Sequence, residues 1–154
     1  MRRGLLAAVA GVATIGVTVG PAAAGPSTQW VGGQGENAQG TLLVKAQSDV
    51  GGANPEGTVR FDYPFHPGWE FEGPVLCLRV DGGRAVVGTV LSGVGTTYFH
   101  ITEGSKFNGV PLPDRYEAQF GQTTPPDECP APSGQGDNVK GNFYIQAPAR
   151  ISKG

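Results

Sequence analysis

The chain has 154 residues, 11 basic against 13 acidic side chains, a formal net charge of −2, 26 glycines and two cysteines. Its charges are scattered without a basic run, which excludes nucleic acid and anionic membrane as natural partners. Two cysteines and two separated histidines are too few ligands for a structural metal site, and no motif points to any other cofactor.

Arg2 and Arg3 form a basic n-region, Leu5 to Val19 is an uncharged apolar run, and Ala22-Ala23-Ala24 offers a small-residue cleavage site. This predicts a signal peptide over residues 1–24 and a mature chain starting at Gly25. The apolar run is short for a spanning helix, so no membrane span is expected after cleavage. Loss of Arg2 and Arg3 leaves nine basic against 13 acidic residues, a charge of −4. The expected location is outside the cell.

Residues 25–39 are polar and glycine-rich and read as a flexible lead-in, with Trp30 and Val31 tucking against the domain. Residues 40–154 then read as one β-barrel-like domain. Gly40 to Ser48 alternates with Leu42, Val44 and Ala46 on one face. Gly51-Gly52 and Asn54-Pro55 are turn chemistry, and Gly57 to Phe65 is a second strand with Val59, Phe61 and Tyr63 in register. His66-Pro67-Gly68 turns the chain, and Gly73-Pro74 marks a bulge or strand start because proline cannot donate to a ladder.

The organising segment is Trp69 to Leu91, where two apolar runs flank Asp81-Gly82-Gly83-Arg84. A two-residue turn at Gly82-Gly83 sets the register. Leu76, Leu78 and Val80 then share a core face with Ala85, Val87, Thr89 and Leu91. The opposite face carries Val75, Cys77 and Arg79, with Gly88 directly across from Cys77. Thr96 to Glu103 follows with Phe99 and Ile101 inward and Tyr98, His100 and Thr102 outward. Asn108-Gly109 is a hairpin signal, although Pro111 and Pro113 point to a longer loop. Asp114 to Gln122 places Tyr116, Ala118 and Phe120 on one face. Thr123 to Gly136 is a proline-rich loop carrying Cys129, and Asn138 to Gln146 is the last strand.

No window has capped helical periodicity, so the fold class is all-β. Sequential strands with tight turns favour a single antiparallel barrel of about seven or eight short strands over the alternative, a β-sandwich. An exported protein meets an oxidising environment, so Cys77 and Cys129 are expected to form a disulfide. Gly88 leaves room for it, and the bridge should pin the proline-rich loop over the outer face of the hairpin. Closing that loop stabilises by about 4 kcal/mol in the chain-entropy account.

The run FEGPVLCLRVDGGRAVVGTV, followed by PDRYEAQF and GNFYIQA, resembles a set of small secreted actinobacterial β-proteins that includes post-COAP-like domains. The matching residues include Phe71, Gly73, Val75, Cys77, Leu78, Val80, Arg84, Ala85, Val87, Gly88, Pro113, Asp114 and Arg115. Gly83 replaces an asparagine of that pattern, and Thr102-Glu103-Gly104 replaces an aspartate-rich turn. The resemblance implies an all-β secreted domain and brings no activity with it.

No catalytic constellation stands out. Glu70 and Glu72 share a strand face and could join Asp62 or Glu117 as a glycosidase-like acid/base pair, but alternation places them in solvent. His66 and His100, with Ser92 or Ser105, lack a nucleophile elbow. Asp49, Asn54 and Glu56, or Asp137 and Asn138, lack the dense oxygen ligands of a calcium loop, and turn formation explains them. Trp30, Trp69, Tyr98 and Tyr116 are the candidate ligand contacts, as aromatics lining a barrel mouth or else packed in a core or rim. The leading expectation is a non-catalytic secreted domain that binds an extracellular ligand or envelope component. A small hydrolase using Glu70, Glu72 or Asp62 is one alternative. The other is a protease inhibitor presenting Lys106 to Pro113 or Thr123 to Gly136.

Overall fold

The computed structural model describes residues 28–148. The expected signal peptide over residues 1–24 lies outside them. Ten residues in each of the first two strands, β1 (Thr28–Asn37) and β2 (Gly40–Asp49), form a long hairpin. Then come β3 (Glu56–Asp62), β4 (Glu70–Pro74), β5 (Cys77–Asp81), β6 (Arg84–Leu91) and β7 (Gly95–Thr102). A small hairpin of β8 (Lys106–Phe107) and β9 (Val110–Pro111) precedes β10 (Arg115–Gln119), β11 (Asp137–Asn138) and β12 (Lys140–Gln146). Among the described residues the only helical element is a 3-10 turn at Val50–Gly52.

Two five-stranded antiparallel sheets, β12-β1-β2-β3-β4 and β11-β10-β7-β6-β5, pack as a sandwich. The expected single barrel is therefore corrected to a sandwich-like arrangement in which neither sheet closes on itself. The meander order does hold around the molecule, but two segments bend from one sheet into the other. At the first bend the Val75 N–H donates to Gly57 O on β3, and the next N–H, Leu76, donates to Gly88 O on β6. At the second, β11 pairs with β10 and the chain then continues as β12 beside β1. Each bend exchanges one partner strand for another, so the ladder breaks where a barrel would continue.

The core lies between the sheets. Val31, Leu42, Val44, Val59 and Phe61 of one sheet meet Leu78, Val87, Phe99, Ile101 and Tyr116 of the other. Register in the organising hairpin is the one the Gly82-Gly83 turn implies, with Cys77 opposite Gly88 and Asp81 opposite Arg84. The first bend shifts parity: Val75, expected on the outer face, is in the core, and Leu76 is only half-buried. The lead-in expected over residues 25–39 differs most, because Thr28–Asn37 is a central strand of its sheet. Its glycines permit close approach: a side chain at Gly35 would strike the Phe143 ring at 2.7 Å. Asn108 and Gly109, both at positive φ, form the two-residue turn between β8 and β9, tighter than the loop expected from Pro111 and Pro113.

Cys77 and Cys129 are bonded to each other. The bridge sits on the outer face of the second sheet with Val86 and Tyr98, away from Leu78. A side chain at Gly88 would lie 2.5 Å from Cys77 Sγ and 2.7 Å from Pro126 O, so only glycine lets the loop lie this close.

Candidate ligand site

The four sequence-derived candidates have four different surroundings. Tyr116 is fully buried in the core and its hydroxyl donates to Gly40 O. Tyr98, 2% exposed, points outward as its strand parity dictates but is roofed by the disulfide-pinned loop. Its hydroxyl donates to Pro125 O at 2.6 Å, with Glu128 O at 3.1 Å also in reach. Burial raises the phenol pKa of both, helped by Glu128 and Asp127 at Tyr98 and by Glu36 and Asp137 at Tyr116. Both therefore fasten the fold, and neither presents a face to a ligand. Trp30 is half-buried on the outer face of the first sheet, lying across Gly32, where an added Cβ would be 2.5 Å from the indole. The recess beside it has Lys45, Gln47 and Glu56 in its wall. Trp69 is 53% exposed and stands apart from the other three.

Trp69 belongs to an aromatic mouth at the end of the sandwich where β3, β4, the β6–β7 turn and the end of β10 meet. Phe61 forms the floor of a cleft of about 300 Å³, and Tyr63, Trp69 and Phe71 form one wall. Phe120 and Val94 close the opposite side. An adjoining recess shares Trp69, Phe71 and Val94 and adds Glu70. The rings stand at varied angles. His66 stacks on Trp69 at 4.2 Å between centroids, Tyr63 lies 6.3 Å from Trp69 at 31°, and Phe71 lies 6.4 Å away at 75°. Phe61 and Phe120 approach to 5.3 Å.

Local backbone bonds hold this wall in place. Tyr63 N–H donates to Trp69 O at 3.1 Å and Trp69 N–H donates to His66 O at 3.0 Å. Gly68 supplies the positive φ of 88° that closes the turn. The alternation that sends Phe61 and Phe71 inward also sends Asp62, Glu70 and Glu72 to the solvent face of the sheet. There Arg60 bonds Glu70 at 2.7 Å and Asp62 at 3.3 Å. Its guanidinium pKa is raised, chiefly by the hydrogen bond to Asp62 and by the charge of Glu70. These carboxylates line no common cleft of the kind an acid/base pair needs.

His100 sits under the same loop as Tyr98, only 3% exposed. Its Nδ1 accepts the Ser133 N–H at 3.1 Å, and Nε2 has no partner among the described residues. Burial lowers its pKa, with Gln119 and Glu117 acting in the opposite direction. Neither Ser92 nor Ser105 appears among the hydrogen-bond partners of His66 or His100. At the first calcium candidate, Asn54 Nδ2 donates to Asp49 Oδ2 at 2.7 Å and Gln47 donates to Glu56, so side chains fasten the turn. No grouping of three or more potential metal ligands occurs among the described residues.

Sequence reasoning named Trp69 but missed its companions, Tyr63, His66, Phe71 and Phe120. They come from the residues just after β3 and β10, from β4 and from a turn, and only the fold brings them together. The one available signal was the run Tyr63-Pro64-Phe65-His66-Pro67-Gly68-Trp69, dense in aromatics for a turn. Of the two loops considered as inhibitor elements, Thr123 to Gly136 lies flat on the sheet. The β8–β9 hairpin instead exposes Phe107 and Val110. Comparison with protein-family models, curated proteins and solved structures returned no match to the chain.

Proposed function

We propose that this protein is an exported, non-catalytic binding domain that seats an extracellular ligand in the aromatic mouth. In this reading it is of the kind found among the small secreted actinobacterial β-proteins it resembles. The observation that carries the proposal is the mouth itself, an open apolar cleft walled by Tyr63, Trp69, Phe71 and Phe120. Elsewhere on the molecule the recesses carry charged walls, such as Lys45 and Glu56 beside Trp30, or Glu103 and Arg115 at the far end. Open concave sites with mostly apolar lining and few polar groups are where small ligands bind. The disulfide fits the oxidising exterior, and the N-terminal charge pattern fits export.

Support for a non-catalytic role comes from the carboxylates. Asp62 and Glu70 lie on a flat solvent face and already pair with Arg60. The proposal is tested by titrating the isotope-labelled protein with cyclohexanol, a small neutral apolar probe, and following amide shifts. Saturable shifts confined to Tyr63 to Phe71, Val94 and Phe120 are expected. Shifts that never saturate, or that centre on the Trp30 recess, would contradict it.

A further inference from the structure

Resting on that reading, we infer that the mouth is selective for a methylated cation, a quaternary ammonium head group of the choline type. Glu70 is the one carboxylate lining the paired recesses, and no lysine or arginine lines either of them among the described residues. Arg60 is held on the solvent face of the sheet by Glu70 and Asp62 and does not line the cleft. The remaining walls are aromatic, and the face of an aromatic ring carries negative potential that attracts a cation most strongly at tryptophan and tyrosine. Trp69, Tyr63 and Phe71 supply such rings around one space of about 300 Å³, at the small end for a ligand pocket.

Hydrogen-bond accounting narrows the cation further. A primary ammonium brings three N–H donors and leaves them costly if unpaired in an apolar cleft. Among the side chains that line the cleft, the acceptors are the Tyr63 hydroxyl and the His66 imidazole. A sugar would bring still more hydroxyl groups to satisfy. A trimethylammonium group has no donor at all; its methyl groups meet ring faces, whose negative potential accommodates the charge without a hydrogen bond. The fold keeps Trp69 in place by the Trp69 N–H bond to His66 O and the stacked imbrication of His66, so little ordering is needed on binding.

The test compares choline with 3,3-dimethyl-1-butanol, its uncharged carbon isostere, by following the backbone amides of Tyr63 to Phe71, Val94 and Phe120 in the purified protein and its variants. Choline should bind at least about tenfold more tightly than the isostere, the ratio expected for a partly desolvated cation over aromatic rings. Glu70→Gln, at a carboxylate paired with Arg60 on the solvent face, should change either affinity by less than about twofold; loss of the choline preference in this variant would place the cation on the sheet face and overturn the inference. Trp69→Ala should abolish both, and Trp69→Phe, which keeps a ring, should retain part of the choline preference. Equal affinity for the two probes at Trp69 would overturn cation selectivity while leaving the binding domain intact. Choline binding that survives Trp69→Ala would place the site elsewhere and overturn the inference. Failure of both probes and of cyclohexanol to move Trp69 would remove the binding-domain reading as well.

Discussion

The long sides of the sandwich and its aromatic mouth treat exposed groups in opposite ways. Along the sides, side-chain amides and carboxylates take the place of missing neighbour strands. On β5, Gln29 Nε2 donates to Leu78 O at 3.0 Å while its Oε1 accepts the Val80 N–H at 3.2 Å. On β10, Gln39 does the same for Ala118 N–H and C=O, and Asn37 donates to Tyr116 O. On β12, Asp114 accepts the Phe143 N–H and Glu103 accepts the Ile145 N–H. Two of the four sheet edges, β5 and β12, and the part of β10 that runs beyond the short β11 thus have outward backbone groups already bonded, which suppresses strand addition by another chain. At the mouth nothing comparable covers the apolar surface among the described residues, and Trp69 and Phe65 stay in solvent. The β8–β9 hairpin also exposes Phe107 and Val110, but on a two-stranded arm, whereas the mouth gathers its exposed rings around a cleft.

The contrast can be broken from the closed side first. Replacing both Cys77 and Cys129 by alanine should cost about 4 kcal/mol in urea melts, from the loop the bridge closes in the unfolded chain. Probe binding at Trp69 should survive in the folded fraction, because the bridge and the mouth lie on different surfaces. Gln29→Leu leaves Leu78 O and Val80 N–H without their partner and should cost about 1–3 kcal/mol. It should also produce concentration-dependent association in sedimentation experiments as the β5 edge opens. A variant that stayed monomeric and equally stable would show that the glutamine seals nothing.

Smaller effects sharpen the comparison. Burial holds the folded pKa of His100 below the ordinary histidine value, and its Nδ1 accepts the Ser133 N–H. The unfolded chain therefore binds the proton more readily. Stability from this site is complete above the unfolded value of about 6.5 and is lost as pH falls through it toward the lower folded value. Melts between mildly alkaline and mildly acidic pH should show that loss, and His100→Asn, which keeps an acceptor, should flatten it. At the open end, Trp69→Ala should change stability by no more than about 0.5 kcal/mol, as at an ordinary surface position. Glu72→Gln should be similarly silent.

Much of the closed side was legible in the sequence. Gly82-Gly83 set the register that faces Cys77 with Gly88, and the proline-rich run around Cys129 read as a loop on the outer face. What followed from that loop was harder to see. Tyr98 and His100 point outward, as alternation requires, yet the loop buries them, so parity alone misjudged their exposure. The glycines of β1 read as mobility, whereas Gly33 and Gly35 are where β12 crosses too closely for a side chain. The bend between Val75 and Leu76 moved one residue of the apolar pattern from one face to the other. Gln29, Gln39, Asp114 and Glu103 carry no local pattern that marks them as partners of a distant strand edge. The mouth was visible only as Trp69, because its remaining rings converge through the packing of both sheets.

Native-state amide hydrogen exchange tests the contrast most directly. The outward amides of Val80, Phe143 and Ile145 are on edge strands and that of Ala118 is on β10 beyond its pairing with β11, where exchange would ordinarily be fast, but each donates to a side chain of the same chain. They should be protected to the same degree as the ladder amides of β1 and β7, while Phe65, His66 and Gly68 in the mouth exchange rapidly. Edge amides exchanging as fast as those of the mouth would contradict the account of sealed sides and an open aromatic mouth.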